Sequence, residues 1–189
     1  AGPVFLAGRF RFTHQAGRDY RHYIEATFYG LPVMKVNERY LNGLAFGETP
    51  FGTSSGEKVN QAANLGLWAE SVWLPGILAT DPRVSWTPVN ATTAILNVPF
   101  GARRDALTVR FDAQTGLPTT FEAERYQTSD GEKLHWTCRI LGWADLDGQL
   151  TPVSSSIQWG NDTRPWVYFT VENVVLNAEV EADLQRKGL

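Results

Sequence analysis

The chain has 189 residues, of which 43% are hydrophobic and 20% charged, with a net charge of −3. Those are the values of a folded domain rather than a disordered segment. Together with the absence of any Lys/Arg run they exclude a nucleic-acid partner, and the single cysteine, Cys138, excludes an internal disulfide framework.

The length suits one domain over residues 1–189, with a core at about 4–178 and a polar tail at 179–189. A chain of this size buries roughly 70% of its unfolded surface. Residues 4–13 alternate, with Val4, Leu6, Phe10 and Phe12 on one face and Arg9 and Arg11 on the other. A strand so close to the start points to a preceding segment (an anchor, a leader or more domain) and to an extracytoplasmic or membrane-associated location. Residues 15–19 form a turn. Residues 20–29 follow as a strand, with Tyr20, His22, Ile24, Ala26 and Phe28 on one side. Gly30-Leu31-Pro32 ends it, because proline cannot donate to a central ladder. Residues 33–36 and 39–46 read as a strand pair, with Asn42-Gly43 a turn or bulge. Residues 47–56, rich in Gly, Ser, Thr and Pro, form a loop. Ser54 or Ser55 is the expected N-cap of the helix that follows, with Glu57 in its first turn.

Residues 60–78 are the one long stretch of helical periodicity. Leu65, Trp68, Ala69, Val72 and Trp73 share a broad face, and Ala63, Leu67 and Leu74 lie opposite. Only Asn60, Asn64 and Ser71 make a narrow wet stripe, and a helix apolar almost all round is a buried one. Glu70 is its single charge within an apolar arc. Pro75-Gly76 weakens the end and Asp81-Pro82 stops it. The remainder is a meander with strands at 84–87, 91–100, 106–112, 119–126, 134–143, 153–159 and 166–175. Thr115-Gly116, Asp130-Gly131, Asp147-Gly148 and Asn161-Asp162 supply turn chemistry. One helix among about ten strands gives an α+β fold, with a strongly curved antiparallel sheet wrapped around the helix.

Seven Trp, six Tyr and ten Phe stand out. They fill a core or line an apolar pocket equally well, and Trp68 and Trp73 would floor such a pocket. Glu70 would orient a polar head group, exchange a proton, or pair with an inward arginine; Arg39, Arg110 and Arg125 are the available cations. Cys138 shares a strand face with Trp136 and Ile140, which makes it a buried, inert thiol. No metal site is expected. His22 and Glu25 point to opposite faces of a strand, His14 and His135 have no ligand at useful spacing, and Asp145-x-Asp147-Gly148 lacks the glutamate of a calcium loop. No cofactor is expected either, since there is no phosphate loop, GxGxxG or nucleophile elbow.

The chain also resembles a known family. The resemblance rests on Gly8-Arg9-Phe10, a central Gly30-Leu31-Pro32 and the helix run Trp68-Ala69-Glu70-Ser71-Val72-Trp73-Leu74-Pro75. It continues with Val84-Ser85-Trp86-Thr87-Pro88, the strand pair at 107–112 and 118–126, and Pro165-Trp166. These are similar to uncharacterised bacterial domains of unknown function, over about residues 8–175. The resemblance implies a half-barrel like that of lipoprotein-localisation factors (LolA-like), whose sheets cover lipid or acyl chains, and it implies no activity. The leading expectation is therefore a non-enzymatic module that binds an apolar or amphipathic ligand, lipids included, through Trp68, Glu70 and Trp73. The rivals are an interaction domain with a filled core and an enzyme using Glu70.

Overall fold

The computed structural model describes residues 5–160 and 162–189. Val4, which opens the first expected strand, and Asn161, expected in a turn, lie outside them. Strands β1 (Ala7–Gln15), β2 (Asp19–Phe28), β3 (Leu31–Leu41), β4 (Leu44–Thr49) and β5 (Gly52–Ser55) form a five-stranded antiparallel meander. Helix α1 (Glu57–Glu70) follows, then a tight turn at Ser71–Trp73 and the short α2 (Gly76–Thr80). A second, seven-stranded meander comprises β6 (Ser85–Asn90), β7 (Thr93–Phe100), β8 (Arg103–Phe111), β9 (Pro118–Tyr126), β10 (Lys133–Leu146), β11 (Gln149–Trp159) and β12 (Val167–Thr170). A last helical turn, α3, spans Glu181–Leu184.

The α+β class holds, but the single wrapped half-barrel does not. There are two sheets, neither closed nor strongly curled, with α1 between them. The helix pattern explains why. Leu65, Trp68, Ala69 and Val72 pack on Leu96, Val98, Leu107, Val109 and Phe121 of the larger sheet. Ala63 and Leu67 pack on Tyr20, Tyr40 and Ala45 of the smaller. A helix apolar on opposite sides needs a cover on each, and two open meanders supply both.

The polar stripe running from α1 into the turn after it is buried, contrary to expectation: Asn60, Asn64 and Ser71 are 8%, 3% and 2% exposed. Each is spent on a hydrogen bond. Asn60 Oδ1 accepts from the Ala45 N–H at 2.7 Å, and the Ser71 hydroxyl donates to the Leu67 carbonyl at 2.9 Å. Asn64 joins the layers. Its Oδ1 accepts from the Tyr40 hydroxyl of the small sheet, while its Nδ2 donates to Pro99 O and Asp105 Oδ2 of the large one.

Boundaries shift for local reasons. The helix begins at Glu57 behind Gly56, not behind Ser54 or Ser55, because those serines extend β5 and pair with Gly47 and Phe46. It breaks at Glu70 and resumes at Gly76, since Leu74 precedes a proline and leaves the helical region at φ −128°, ψ 53°. Residues 31–41 are one strand rather than two. Its hairpin to β4 turns at Asn42-Gly43, both left-handed at φ 51° and 82°, the geometry an Asn-Gly turn is suited to. The Asp145 carboxylate caps the Asp147-Gly148 turn by accepting the Gly148 N–H. Cys138 packs against the larger core, and burial pushes its thiol up to about 12.

Candidate functional site

The site is built on the β1–β2 hairpin. Three residues, Ala16-Gly17-Arg18, close it, and Gln15 pairs with Asp19. That register sets Phe12 opposite His22 and His14 opposite Tyr20, all on the face toward α1. Gly17 fixes where the hairpin lands. It is left-handed at φ 64°, and a Cβ there would stand 2.5 Å from Ile77 Cδ1 and 3.1 Å from the Trp68 ring. Arg83 clamps the same turn by donating to the Gly17 carbonyl at 3.0 Å. Trp68 therefore acts from the core: 1% exposed, it is the surface on which the hairpin tip rests.

Docked there, the hairpin carries two histidines over the end of α1. His22 Nε2 lies 2.7 Å from Glu70 Oε2, and His14 Nε2 lies 3.1 Å from the same oxygen. Among the described residues no arginine pairs with Glu70, contrary to expectation. Arg125 donates to the Ala62 carbonyl and stacks on Trp136 and Trp159, Arg39 pairs with Glu48, and Arg110 pairs with Glu122 across strands. Burial alone would raise the Glu70 carboxyl, but the charges of His22 and His14 beside it and the His22 hydrogen bond outweigh that and hold it down at about 2. The His22 ring is sandwiched between Phe12 and Tyr20, with centroids at 3.9 and 4.0 Å. Trp73 stands edge-on to His14, its indole N–H donating to Pro152 O at 3.1 Å.

Glu70, His14 and Trp73 face a half-open cavity of about 730 Å³. Phe10, Phe12 and Leu74 contribute apolar walls, and residues 171–186 form the far side. The polar tail expected at 179–189 is thus docked. Leu184 is 3% exposed, and Asp183 accepts from the Thr13 hydroxyl at 2.6 Å and from Arg21 at 3.2 Å. Arg11 and Arg186 stand at the rim.

Of the three residues singled out from the sequence, Glu70 and Trp73 meet at this cavity and Trp68 lies behind it. His14 and His22 were passed over. Their signal was present: His14 continues the Phe10–Phe12 face, His22 sits on the Tyr20 face, and a three-residue turn between the strands makes them diagonal neighbours.

A model of a family of unknown function (DUF6544) matches residues 6–171. The chain belongs to that family. No curated protein and no solved structure matches it. Family membership assigns no chemistry to this site, and nothing in the comparisons supports the expected kinship with lipoprotein-localisation factors.

Proposed function

We propose that the chain binds an apolar or amphipathic small molecule, with a lipid acyl chain as the favoured occupant. The observation that carries this reading is the cavity of about 730 Å³ between β1, the end of α1 and the C-terminal segment. Its size falls in the range of small-molecule sites, and apolar side chains make up the larger part of its lining beside the polar His14 and Glu70. Trp73 presents a ring held in place by its bond to Pro152, and Phe10 and Phe12 line the same wall. Arg11 and Arg186 at the rim suit an anionic head group. The arrangement differs from the expected one in that the ligand lies beside the helix end rather than beneath a curved sheet.

The enzyme reading has one observation in its favour, two histidines within reach of Glu70 beside a cleft. As a general acid Glu70 is poorly suited, because a carboxyl held at about 2 is ionised at neutral pH and is a weak base. The filled-core reading accounts for the space between the sheets but not for the cavity.

The test is titration with a fluorescent polyene fatty acid, beside native mass spectrometry of the gently purified protein. Saturable one-to-one binding that Leu74→Trp weakens by crowding the apolar wall supports the reading. Probe binding indifferent to Leu74→Trp, or no binding and no co-purifying mass, overturns it.

A further inference from the structure

His14, His22 and Glu70 invite a sharper reading than a hydrogen-bonded trio. Their donor atoms all lie within 4.8 Å of one another. Both Nε2 atoms converge on one oxygen, Glu70 Oε2, at 2.7 and 3.1 Å. A carboxylate oxygen has room for two N–H donors, but only His22 uses it well. His14 Nε2 is shielded from solvent, yet at 3.1 Å its direction is wrong for a hydrogen bond, and among the described residues it has no partner. The His14 side chain is nine-tenths buried, so its nitrogen is a dehydrated polar atom aimed at a carboxylate. Such an atom is costly unless something else satisfies it.

We infer that His14, His22 and Glu70 form a binding site for a divalent transition-metal ion of the zinc type in the wall of the cavity. Donors about 2.0–2.1 Å from a tetrahedral zinc stand roughly 3.3 Å from each other. To meet that geometry the spacings to Glu70 Oε2 need to open by about 0.6 and 0.2 Å. The two imidazoles, whose donor atoms lie within 4.8 Å of one another, need to settle at the same separation through small side-chain rotations. Two imidazoles and a carboxylate form a donor set that suits zinc or ferrous iron and does not suit magnesium or calcium, which take oxygen ligands. The ligands are also held in advance. Phe12 and Tyr20 clamp the His22 ring on both faces, and Trp73 and Tyr20 flank His14. Three protein ligands leave a fourth position, and His14 and Glu70 both line the cavity, so that position faces it. A carboxylate or hydroxyl of a bound molecule, or water, would fit there. The site stands on its own residues and does not depend on the cavity holding a lipid.

The experiment is calorimetric titration of the chelator-stripped, tag-free chain with Zn²⁺, and optical titration with Co²⁺. One ion per chain is expected to bind in the micromolar range or tighter, with a rise in Tm and the visible absorption bands of a four-coordinate cobalt site. His14→Gln, His22→Gln and Glu70→Gln should each weaken binding by more than about 100-fold, beyond the loss typical of supporting residues. His135→Gln, at the exposed pair with Glu124, should leave it unchanged. Where a variant loses its near-UV circular dichroism, the wild-type cobalt spectrum and histidine-resolved NMR shifts on Zn²⁺ addition decide in its place. Absence of one-site binding, or binding that His135→Gln abolishes while the three site variants retain it, overturns the inference. Zinc binding without fatty-acid binding would keep the metal site and remove the lipid reading, and the converse would do the reverse.

Discussion

The Tyr40 hydroxyl donates to Asn64 Oδ1 at 3.2 Å, so one sheet holds the same amide that the helix offers to the other. Asn64→Leu would strand three groups at once: the Tyr40 hydroxyl, the Pro99 carbonyl and one oxygen of Asp105. A buried group left without its partner costs about 1–3 kcal/mol, so a loss of roughly 3 kcal/mol is expected for the variant. Urea denaturation checks it. Arg110→Ala, on the open face of the large sheet, should leave the midpoint in place. A similar null result for Asn64→Leu would mean that the layers are held by apolar packing alone.

Much of the fold was legible because its signals are local. Leu107, Val109 and Phe111 alternate, Asn42-Gly43 makes a left-handed turn, and the turn residues of the second meander fall where strands end. The helix was legible too, including its lack of a polar face. What that lack implied was misjudged. Ala63 and Leu67 opposite Leu65, Trp68 and Val72 meant two covering sheets, whereas one curved sheet was expected. Asn60 and Asn64 looked wet because single-sequence patterning assigns amides to water, although a buried amide with three partners is equally stable. At the site, Glu70 was identified as needing a partner. The partner was assigned by charge to arginine, since nothing local reveals which hairpin a helix end will meet. His14 and His22 come near Glu70 only after the hairpin tip docks on Trp68.

The C-terminal wall of the cavity should respond to acid. Burial would raise the Asp183 carboxyl, but the Thr13 hydrogen bond and the charges of Arg21 and Arg186 outweigh it and hold it below its ordinary value near 3.8. A carboxyl depressed in the folded state stabilises that state above its unfolded value, and the benefit disappears as pH falls through the folded one. Docking of α3 is therefore expected to be intact at pH 5 and above and to weaken below about pH 4. Hydrogen exchange at residues 180–186 should accelerate over that window ahead of the β-strands. Asp183→Asn should show faster exchange there already at pH 7. If that variant leaves exchange unchanged at pH 7, the segment is held by Leu184 and not by its carboxylate.

Gly17 links core packing to the site, and its effect can be separated into two parts. Gly17 and Gly43 are both left-handed, at φ 64° and 82°, so alanine at either suffers the same backbone strain of about 1–2 kcal/mol. Around Gly43 a Cβ meets open space, whereas at Gly17 it meets Ile77 and Trp68. The Ile77 methyl can swing aside, but the Trp68 ring, 1% exposed, is hemmed in. Gly17→Ala should therefore lose about 1–3 kcal/mol more than Gly43→Ala, the usual cost of overpacking. Because the hairpin must lift to admit the methyl group, His14 and His22 should move away from Glu70. Their ring proton NMR signals should shift in Gly17→Ala and stay in place in Gly43→Ala. Equal losses of stability with undisturbed histidine signals would show that the hairpin is positioned by its strand pairing to β3, and that Trp68 plays no part in assembling the site.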